Sequence, residues 1–407
     1  MIRAHKIRLH PNNKQATHFA NACGTSRFAF NWALNEWKTL YEQGEKVTEG
    51  IIRKRLNAIK KDSFPWMYEV SKCIPQLAIK NNLNSAFQMF FKSATNSKKE
   101  VGYPKFKKKG LHDSFTLDNI SFEVKNKKIK IPHLTPVNMK EELRYKGKLL
   151  NATISKVANK WFVSIQVEIE DSHLQLTTYD ESQVTGVDLG CKDLAVLSDG
   201  TKITGIKPSR VYSRKLKRLN QELSRRKGSK KGEKKSNNFL KTRRKLATLH
   251  YRIASLRQDQ THKLTTWLVD NFKVIGIEDL NVEGMVKNHN LARAIEDMNF
   301  GEFRRQLEYK ALEKGVKVVV LDRWFPSSKT CNVCGSVNKE LILKDRTWKC
   351  VDCGAVLDRD INAARNIKQV AVSSTVAQPV ESSWVASSMK QELNNRFVQK
   401  CTRLCKF

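Results

Sequence analysis

Two cysteine pairs near the end of the chain carry the strongest chemical signal. Cys331 and Cys334 form one CxxC motif, Cys350 and Cys353 form a second, and a glycine follows each pair, as suits the tight turn of a zinc knuckle. None of the nine histidines lies between residues 290 and 407, so the expected ligands are four thiolates. Four thiolates leave no open position, which indicates one structural Zn²⁺. A redox dithiol is the less consistent alternative, because two pairs are present.

Three acidic residues form a second candidate site. Asp188, Glu278 and Asp360 lie within or just after apolar, strand-like runs, or at a helix start beside one. One such acid is most often a turn or cap residue, but three in one α/β pattern also suit a metal site. If they converge to about 5 Å, each pair repels by roughly 3 kcal/mol, and a divalent cation removes that cost. Mg²⁺ or Mn²⁺ suits carboxylate oxygens, and two ions about 4 Å apart support phosphodiester hydrolysis.

The composition points to a polyanionic partner. The 407 residues include 75 Lys and Arg against 40 Asp and Glu, which gives a formal net charge of +35. Phosphate binding with counterion release is the usual reason for such an excess, and a generically basic, solvated surface is the simpler alternative. The sequence shows no Ser/His/Asp or Cys/His nucleophile arrangement and no glycine-rich phosphate loop that opens a helix.

The cellular setting is predicted from what the sequence lacks. No run of about 18 apolar residues is present, and the N-terminal apolar stretch is interrupted by charges, so we expect neither a membrane span nor a signal peptide. The remaining cysteines are scattered, which fits a reducing compartment. We therefore expect a cytoplasmic protein.

The first part of the chain combines a strand with helices. Residues 2–9 predict a strand, and Asn12 or Asn13 predicts a helix N-cap. Helical periodicity continues to about residue 97, with one helix over 71–91. The aromatic residues of this block are interpreted as core rather than as base-stacking platforms.

Residues 114–170 alternate with a period of two and predict two hairpins, with turns at Lys125–Lys128 and near Ala158. With the N-terminal strand they predict a small β-barrel into which the helical block is inserted. The basic loop at 103–110 is a candidate phosphate contact, although a merely solvated loop is the alternative. The polar stretch 171–183 predicts a linker.

The second part of the chain predicts an α/β domain with a basic helical hairpin. The predicted strands lie within 184–206, 273–280 and 317–323, and the predicted helices lie over 209–269 (interrupted at 227–236), over 299–314 and from 358 onward. The second and third of these strand regions contain unbroken runs without charge, 274–277 and 318–321, which predicts buried strands. The polar tail, residues 371–407, is predicted to be disordered.

Five motifs together resemble the TnpB family of transposon-encoded RNA-guided nucleases, which are related to type V CRISPR effectors. They are GVDLG (186–190), GIEDL (276–280), SSKTCNVCG (327–335), CVDCG (350–354) and DRDINAARNI (358–367). The segments IRLHPN, GTSRFAFNWAL and YPKFKKK are also similar to that family, so the resemblance covers about residues 1–370.

The resemblance implies a multi-domain α/β fold. Its implied parts are a β-barrel (wedge) domain at 1–10 and 111–172, a helical recognition domain at 11–110, an RNase H-like (RuvC-like) nuclease domain at 183–326 and 356–370, a zinc-ribbon target-nucleic-acid-binding insert at 327–355, and a tail at 371–407. By the same resemblance, the catalytic acids are Asp188, Glu278 and Asp360, and they hold Mg²⁺. Asp279 leaves the second motif ambiguous.

The resemblance also implies the partners. They are a guide RNA made from the transposon end and a double-stranded target DNA that carries a short flanking motif. The candidate contacts are Lys72, Gln76, Tyr103, Lys105 and Lys107. The basic hairpin would lie along the guide–target duplex and read its backbone while base pairing reads sequence. A monomer that associates with the nucleoid when bound is expected.

Other functions remain open at this point. A nuclease-inactive RNA-guided repressor on the same scaffold is the first alternative, but such a protein is expected to lose an acid, and all three acids are present. A zinc-ribbon binding protein without catalysis leaves Asp188 and Glu278 unexplained. A strand-transferring transposase is permitted by the acids but not favoured by the order of the motifs.

Overall fold

A computed structural model describes residues 1–95, 101–170, 179–226, 235–342 and 344–376. The described residues fall into two compact units, one within 1–170 and 206–260, the other within 179–205 and 261–376. The helical hairpin therefore groups with the N-terminal unit, whereas the sequence placed it in the domain that begins at residue 183. No described helix is long and apolar enough to cross a membrane.

A seven-stranded antiparallel sheet frames the first unit. Its strands are β1 Ile2–His10, β2 Ser114–Asp118, β3 Glu123–Lys125, β4 Lys128–Lys130, β5 Val137–Met139, β6 Lys148–Val157 and β7 Lys160–Glu168. They follow the order β2-β6-β7-β1-β5-β4-β3, so the first strand is central. Both predicted hairpins, β3–β4 and β6–β7, are confirmed.

This sheet curls around one core, to which Ile7, Phe115 and Ile129 contribute from three different strands. The end strands β2 and β3 do not pair with each other in the part of the chain that the structure describes. The predicted barrel is therefore a curled sheet that hydrogen bonds leave open. Strands β3, β4 and β5 are short, and short strands offer few ladder bonds for closure.

The helical block lies between β1 and β2 in the chain. It consists of α1 Asn13–Glu42, α2 Glu49–Ser63, a 3₁₀ turn Pro65–Glu69, α3 Cys73–Leu77, a π-helical stretch Ala78–Leu83 and α4 Asn84–Thr95. Asn12 is the N-cap of α1 and forms a capping box with Gln15. This confirms Asn12 as the N-cap among the two predicted positions, Asn12 and Asn13. Trp37 stacks on Phe87 with 4.3 Å between ring centroids, so these aromatics are core residues.

The basic hairpin of the first unit has a thin apolar seam. Its helices are α5 Pro208–Val211, α6 Ser213–Arg225 and α7 Asn237–Asn271. Leu219 of α6 packs with Leu249 and Ile253 of α7, which confirms the predicted helical pair. Residues 227–234, where an interruption is predicted, lie outside the described residues.

A five-stranded sheet frames the second unit. Its strands are β8 Val184–Asp188, β9 Ala195–Leu197, β10 Lys202–Ile203, β11 Val274–Glu278 and β12 Lys317–Leu321, in the order β10-β9-β8-β11-β12. Strands β8, β11 and β12 are parallel to one another. The prediction of a buried β12 is wrong: it is the edge strand, and only Leu321 in it is buried.

The remaining elements of the second unit complete the sheet and form the cysteine insert. They are α8 Val282–Val286, α9 Ala292–Met298, α10 Phe300–Lys314, β13 Thr347–Lys349, β14 Val356–Asp358 and α11 Arg359–Val376. Because α11 extends to Val376, the first residues of the predicted disordered tail are helical. Residues 377–407 and most of the predicted linker, 171–178, lie outside the described part.

Candidate active site

Asp188 and Glu278 end adjacent parallel strands. Strand β8 pairs with β11 in a register that places Val187 opposite Ile277, so the next residue on each strand is an acid. Carboxyl ends of parallel strands meet at one edge of a sheet, where ligand sites form. The sheet register therefore brings together two acids that are far apart in sequence.

Helix α11 supplies the third acid and lies tightly against these strands. A Cβ added at Gly186 of β8 would fall on the carbonyl oxygen of Ala364, and one at Gly276 of β11 would lie 2.9 Å from the carbonyl oxygen of Ile367. The glycines of the GVDLG and GIEDL motifs thus permit backbone-close packing of α11. Asp360 in the first turn of α11 is carried to the strand ends by this contact.

Asp358 has a different part from Asp360. Its carboxylate accepts hydrogen bonds from the backbone N–H groups of Asp360 and Ile361 at 3.0 and 3.1 Å, which caps the start of α11. It also pairs with Lys202 at 2.7 Å. These contacts leave Asp360 as the acid that interacts with Asp188.

The electrostatics of Asp188 show that the acids share one site. Burial first, and then the charges of Glu278 and Asp360, raise the pKa of Asp188 to about 8 from an ordinary value of 3.8. Arg359 and Arg346 oppose that shift. A cation beside a carboxyl group with such a raised pKa would stabilise its anionic form. A cluster of acids with this property is therefore suited to bind a metal ion.

The second motif offers two acids, and the geometry separates them. Glu278 accepts a hydrogen bond from the hydroxyl of Ser327. Asp279 instead pairs with Arg323 and Arg304, each at 2.5 Å, and these two guanidinium groups lower its pKa. Glu278, rather than Asp279, acts on Asp188.

Asp360 has a cationic neighbour from the cysteine insert. The guanidinium of Arg346 lies 3.2 Å from its carboxylate. Among the described residues, the acids do not approach one another as closely as a preformed metal cluster requires, whereas the cysteines do. The packing of the domain thus places the three acids, and the guanidinium of Arg346 pairs with one of them, Asp360.

The four cysteines form a compact centre. Their sulfur atoms all lie within 4.8 Å of one another, and the closest pairs are Cys334–Cys350 at 3.6 Å and Cys331–Cys353 at 3.7 Å. A tetrahedral Zn²⁺ with Zn–S bonds of about 2.3 Å requires sulfur atoms about 3.8 Å apart, so the residues fit this ion.

Thiol electrostatics also favour a cation there. The backbone N–H of Cys353 and the hydroxyl of Ser336 lower the pKa of Cys350 to about 6. The N–H of Ala355 lowers the pKa of Cys353, but burial first, and then the neighbouring cysteines, outweigh it and raise this pKa to about 12. Four thiolates this close repel one another unless a metal ion lies between them.

Two asparagines connect the cysteine centre to the helix of Asp360, and sequence reasoning did not identify them. The Asn362 side chain accepts from the N–H of Asn332 and donates to the Thr330 carbonyl, at 2.9 and 2.7 Å. Asn366 donates to the Ser327 carbonyl at 2.7 Å. Both are buried in α11, one turn apart. Their spacing in DRDINAARN was a signal for this docking face.

The predicted nucleic-acid contacts differ in their surroundings. Lys72 and Lys105 are exposed, while Gln76 donates to Asn57 at 2.8 Å. Tyr103 is 45% exposed and packs edge-on against phenylalanines of α4. The ammonium of Lys107 lies 4.0 Å from the centre of the Phe30 ring, and burial lowers its pKa. In this conformation it faces an aromatic ring rather than solvent.

A cleft of about 880 Å³ on α1 is a further candidate surface that the sequence did not reveal. Its walls include Asn21, Arg27, Asn31, Trp66 and Lys109. Amide and guanidinium groups beside aromatic rings are the side chains that read nucleic acids.

Family models match three parts of the chain. A model described as Cas12f1-like, TNB domain matches residues 300–367, one described as Probable transposase matches 164–289, and one described as Helix-turn-helix domain matches 1–46. In the last region this structure has strand β1 and the whole of helix α1, which runs from Asn13 to Glu42 without a turn inside it.

The chain is similar to several named proteins over most of its length. It is 36% identical to a "Putative RNA-guided DNA endonuclease" of Streptomyces pristinaespiralis, with 96% of each chain covered. It is 31% identical to "Putative RNA-guided DNA endonuclease InsQ" of Escherichia coli K12, with 90% of this chain and 91% of that one covered. The chain belongs to the TnpB family of RNA-guided DNA endonucleases.

A solved structure shares the fold. The cryo-EM structure of a Cas12f1–sgRNA–target DNA complex aligns with a TM-score of 0.52 at 14% identity, over 88% of this chain and 83% of that one. At this identity the likeness shows a mixed α/β fold in common. The chain also spans about half of the CRISPR-associated endodeoxyribonuclease Cas12f1 of Sulfoacidibacillus thermotolerans, at 24% identity.

Proposed function

We propose that the chain is an RNA-guided DNA endonuclease that hydrolyses target DNA next to a short flanking motif. The observation that carries this proposal is the placement of Asp188, Glu278 and Asp360 by two parallel strands and one helix, where burial first, and then the charges of Glu278 and Asp360, raise the pKa of Asp188. A buried carboxyl group held beside two other acids costs free energy, and a function explains why this arrangement is kept. All three acids are present, which favours a nuclease over a nuclease-inactive repressor.

Mg²⁺ is the proposed catalytic ion, in two copies, and Mn²⁺ can replace it. When bound, the ions supply a nucleophilic water and stabilise the leaving oxygen of the phosphodiester. Asp188, Glu278 and Asp360 provide the oxygen ligands. The Ser327 hydroxyl orients the Glu278 carboxylate, and Asp358 fixes the first turn of α11 so that Asp360 points at a constant position.

The cysteine centre is proposed to hold one structural Zn²⁺. Its four thiolates close the coordination shell, so the ion stabilises the insert and takes no part in hydrolysis. Through Asn362 and Asn366 the insert is fixed to the helix of Asp360. We infer that zinc supports the acid site indirectly, by holding this helix face.

The domain arrangement that fits these roles is an RNase H-like (RuvC-like) nuclease domain at 183–326 and 356–370, with the zinc-ribbon insert at 327–355. Within these bounds, residues 206–260 group with the first unit rather than with the nuclease domain. Residues 1–10 and 111–172 would form the wedge domain, and 11–110 the helical recognition domain. The parallel strands β8, β11 and β12 support the first of these assignments. The seven-stranded sheet supports the assignment of the wedge domain.

The proposed partners are a guide RNA from the transposon end and a double-stranded DNA target. The net charge of +35 supports both. Lys72, Gln76, Tyr103, Lys105 and Lys107 remain the proposed contacts, and the flanking motif would be read there. A cytoplasmic monomer that joins the nucleoid when bound completes the proposal.

The test is guided cleavage by the full chain purified with its RNA. The copurified RNA is sequenced, a matching DNA is supplied with Mg²⁺, and cutting is compared before and after RNase treatment. We expect cutting that needs the RNA and that Asp188→Ala abolishes, while RNA and target binding persist. Cutting that survives both RNase and Asp188→Ala would refute the proposal.

A further inference from the structure

Trp324 lies in the solvent beside the acid site. It is 85% exposed, whereas the next most exposed tryptophans of the described chain, Trp66 and Trp267, are 39% and 40% exposed. A single exposed aliphatic residue is ordinary on a protein surface. An indole ring that projects into water next to a functional site is a different case, because a large aromatic face is available for a ligand.

The backbone that carries this ring is fixed. The Trp324 N–H donates to the Asp322 carboxylate at 2.8 Å, and the Phe325 N–H donates to the Asp322 carbonyl. On one side, Arg323 is anchored to Asp279. The exposed ring therefore stands on a segment whose turns and neighbours hold it in place.

The same segment runs directly to the acids. Ser327, three residues after Trp324, donates its hydroxyl to Glu278, and its carbonyl accepts from Asn366 of α11. Three residues span at most about 11 Å. Arg323 binds the residue that follows Glu278 in sequence. Trp324 thus lies within a short reach of the carboxylate proposed to hold the metal.

The cleft beside Trp324 suits a base better than a phosphate. It has a volume of about 650 Å³ and is lined by Val320 and by the two acids and two arginines Asp279, Asp322, Arg304 and Arg323. These formal charges cancel, and both arginines are already paired with Asp279. A neutral cleft offers little to a phosphate, while an exposed indole offers a stacking surface to any nucleobase.

We propose that Trp324 is a base-stacking residue that holds one nucleotide of single-stranded DNA next to the bond being cut. The inference rests on the proposed nuclease function and adds a binding residue to the same site. Stacking tolerates any base, because every base has a π-face, so this contact suits an enzyme whose sequence specificity comes from a guide. The phosphodiester is then presented to the acids by a ring on a fixed loop.

The experiment uses the full, zinc-loaded chain with its RNA, in an Asp188→Asn background that prevents cutting. Fluorescence anisotropy gives the dissociation constant of a labelled single-stranded oligothymidylate for four forms: the background chain and that chain with Trp324→Ala, Trp324→Phe or Trp324→Leu. Ile120→Ala is the matched control, because Ile120 is 90% exposed in the first unit. Zinc content and thermal unfolding confirm that each form is folded.

We expect Trp324→Ala and Trp324→Leu to weaken single-strand binding about tenfold, and Trp324→Phe to stay within about threefold. Guide-dependent binding of duplex target should be unchanged, as should all binding by Ile120→Ala. Unchanged single-strand affinity in Trp324→Ala would overturn the proposal. So would recovery by leucine equal to that by phenylalanine, or a change only in self-association, which would indicate a protein-binding surface.

Guided cleavage by the chain with Asp188 intact is measured in parallel. If that chain cuts and Trp324→Ala has normal single-strand affinity, the stacking role fails while the nuclease function stands. If that chain does not cut its guided target, the nuclease function fails, and the anisotropy still reports whether Trp324 stacks on bases.

Discussion

The cysteine centre and the acid site use opposite designs. The four cysteines lie within residues 331–353, and their sulfur atoms converge within 4.8 Å. The three acids are residues 188, 278 and 360, and they are placed at one edge of the sheet only because β8, β11 and α11 pack together. A local site can be closed by a short hairpin, whereas a distributed site depends on the whole domain.

The two sites also differ in how much hydrophobic core is available to offset the repulsion between their charges. Thiolates without a metal repel one another, and the insert has only a small core of its own around Trp348 and Leu357. The acids repel one another too, but the sheet beneath them has a large buried core that holds them in place. We infer that metal binding stabilises the folded cysteine centre, whereas the packing of the domain holds the three acids near one another.

The largest expected effect is on the cysteine centre. Cys350→Ser removes one of the four thiolates that would complete the coordination of zinc. We therefore expect bound zinc to fall from one per chain to nearly none. The structural effect should be large, because structural zinc contributes about 10 kcal/mol or more to folding such a site. Metal analysis after dialysis measures the bound zinc. The substitution Cys191→Ser is the control for loss of a cysteine outside the cluster. Full zinc occupancy in Cys350→Ser would rule out a four-thiolate site.

The next effect tests whether packing imposes the acid site. In Gly186→Ala the new methyl would overlap the backbone of α11, so the free energy of unfolding of the second unit should fall by about 2–4 kcal/mol, with loss of cleavage. Gly301→Ala is the matched control: nothing lies within 4 Å of its added Cβ, and a helix favours alanine by up to about 1 kcal/mol. Urea unfolding checks both. Equal stability of the two variants would contradict close packing at Gly186.

A smaller effect concerns pH. Because the folded pKa of Asp188 is about 8 and its ordinary value is 3.8, the folded chain binds more protons between these pH values. The free energy of unfolding must then fall as pH rises through this window. Asp188→Asn removes the dependence, so without added Mg²⁺ it should exceed the parent in stability by about 1–3 kcal/mol at pH 8.5 and match it near pH 4.

Urea unfolding across pH measures that difference, and Mg²⁺ provides the control. Glu278, Asp360, Arg346 and Arg359 all act on Asp188, so the difference reports the whole cluster. Added Mg²⁺ should shrink it by stabilising the parent chain. A parent as stable as Asp188→Asn at every pH would show that the acids do not act on one another.

The same contrast explains how much the sequence predicted. The cysteine cluster follows from spacing alone, because CxxC pairs and knuckle glycines are local features. The order of strands and helices in the second unit also followed from apolar runs. Burial of β12 did not, since a strand's place at the sheet edge depends on which strands neighbour it.

The arrangement of the three acids could not be predicted from the sequence pattern alone. Apolar runs ending in Asp188 and Glu278 suggested a site, but the choice of Glu278 over Asp279 depends on Arg304 and Arg323, which come from other elements. Arg346 beside Asp360 has no sequence signature, because the two meet only when the insert folds back. Asn362 and Asn366 had a readable spacing, yet their partners were visible only in three dimensions.

The central claim is that three distant acids form one divalent-cation site that is separate from the zinc. The most direct measurement is a Mn²⁺ titration of the full, zinc-loaded chain by electron paramagnetic resonance, for the parent and for Asp188→Asn. We expect the parent to bind Mn²⁺ and Asp188→Asn to lose that binding by tenfold or more, while both retain one zinc per chain. Unchanged Mn²⁺ affinity in Asp188→Asn, or loss of zinc along with it, would contradict two independent metal sites.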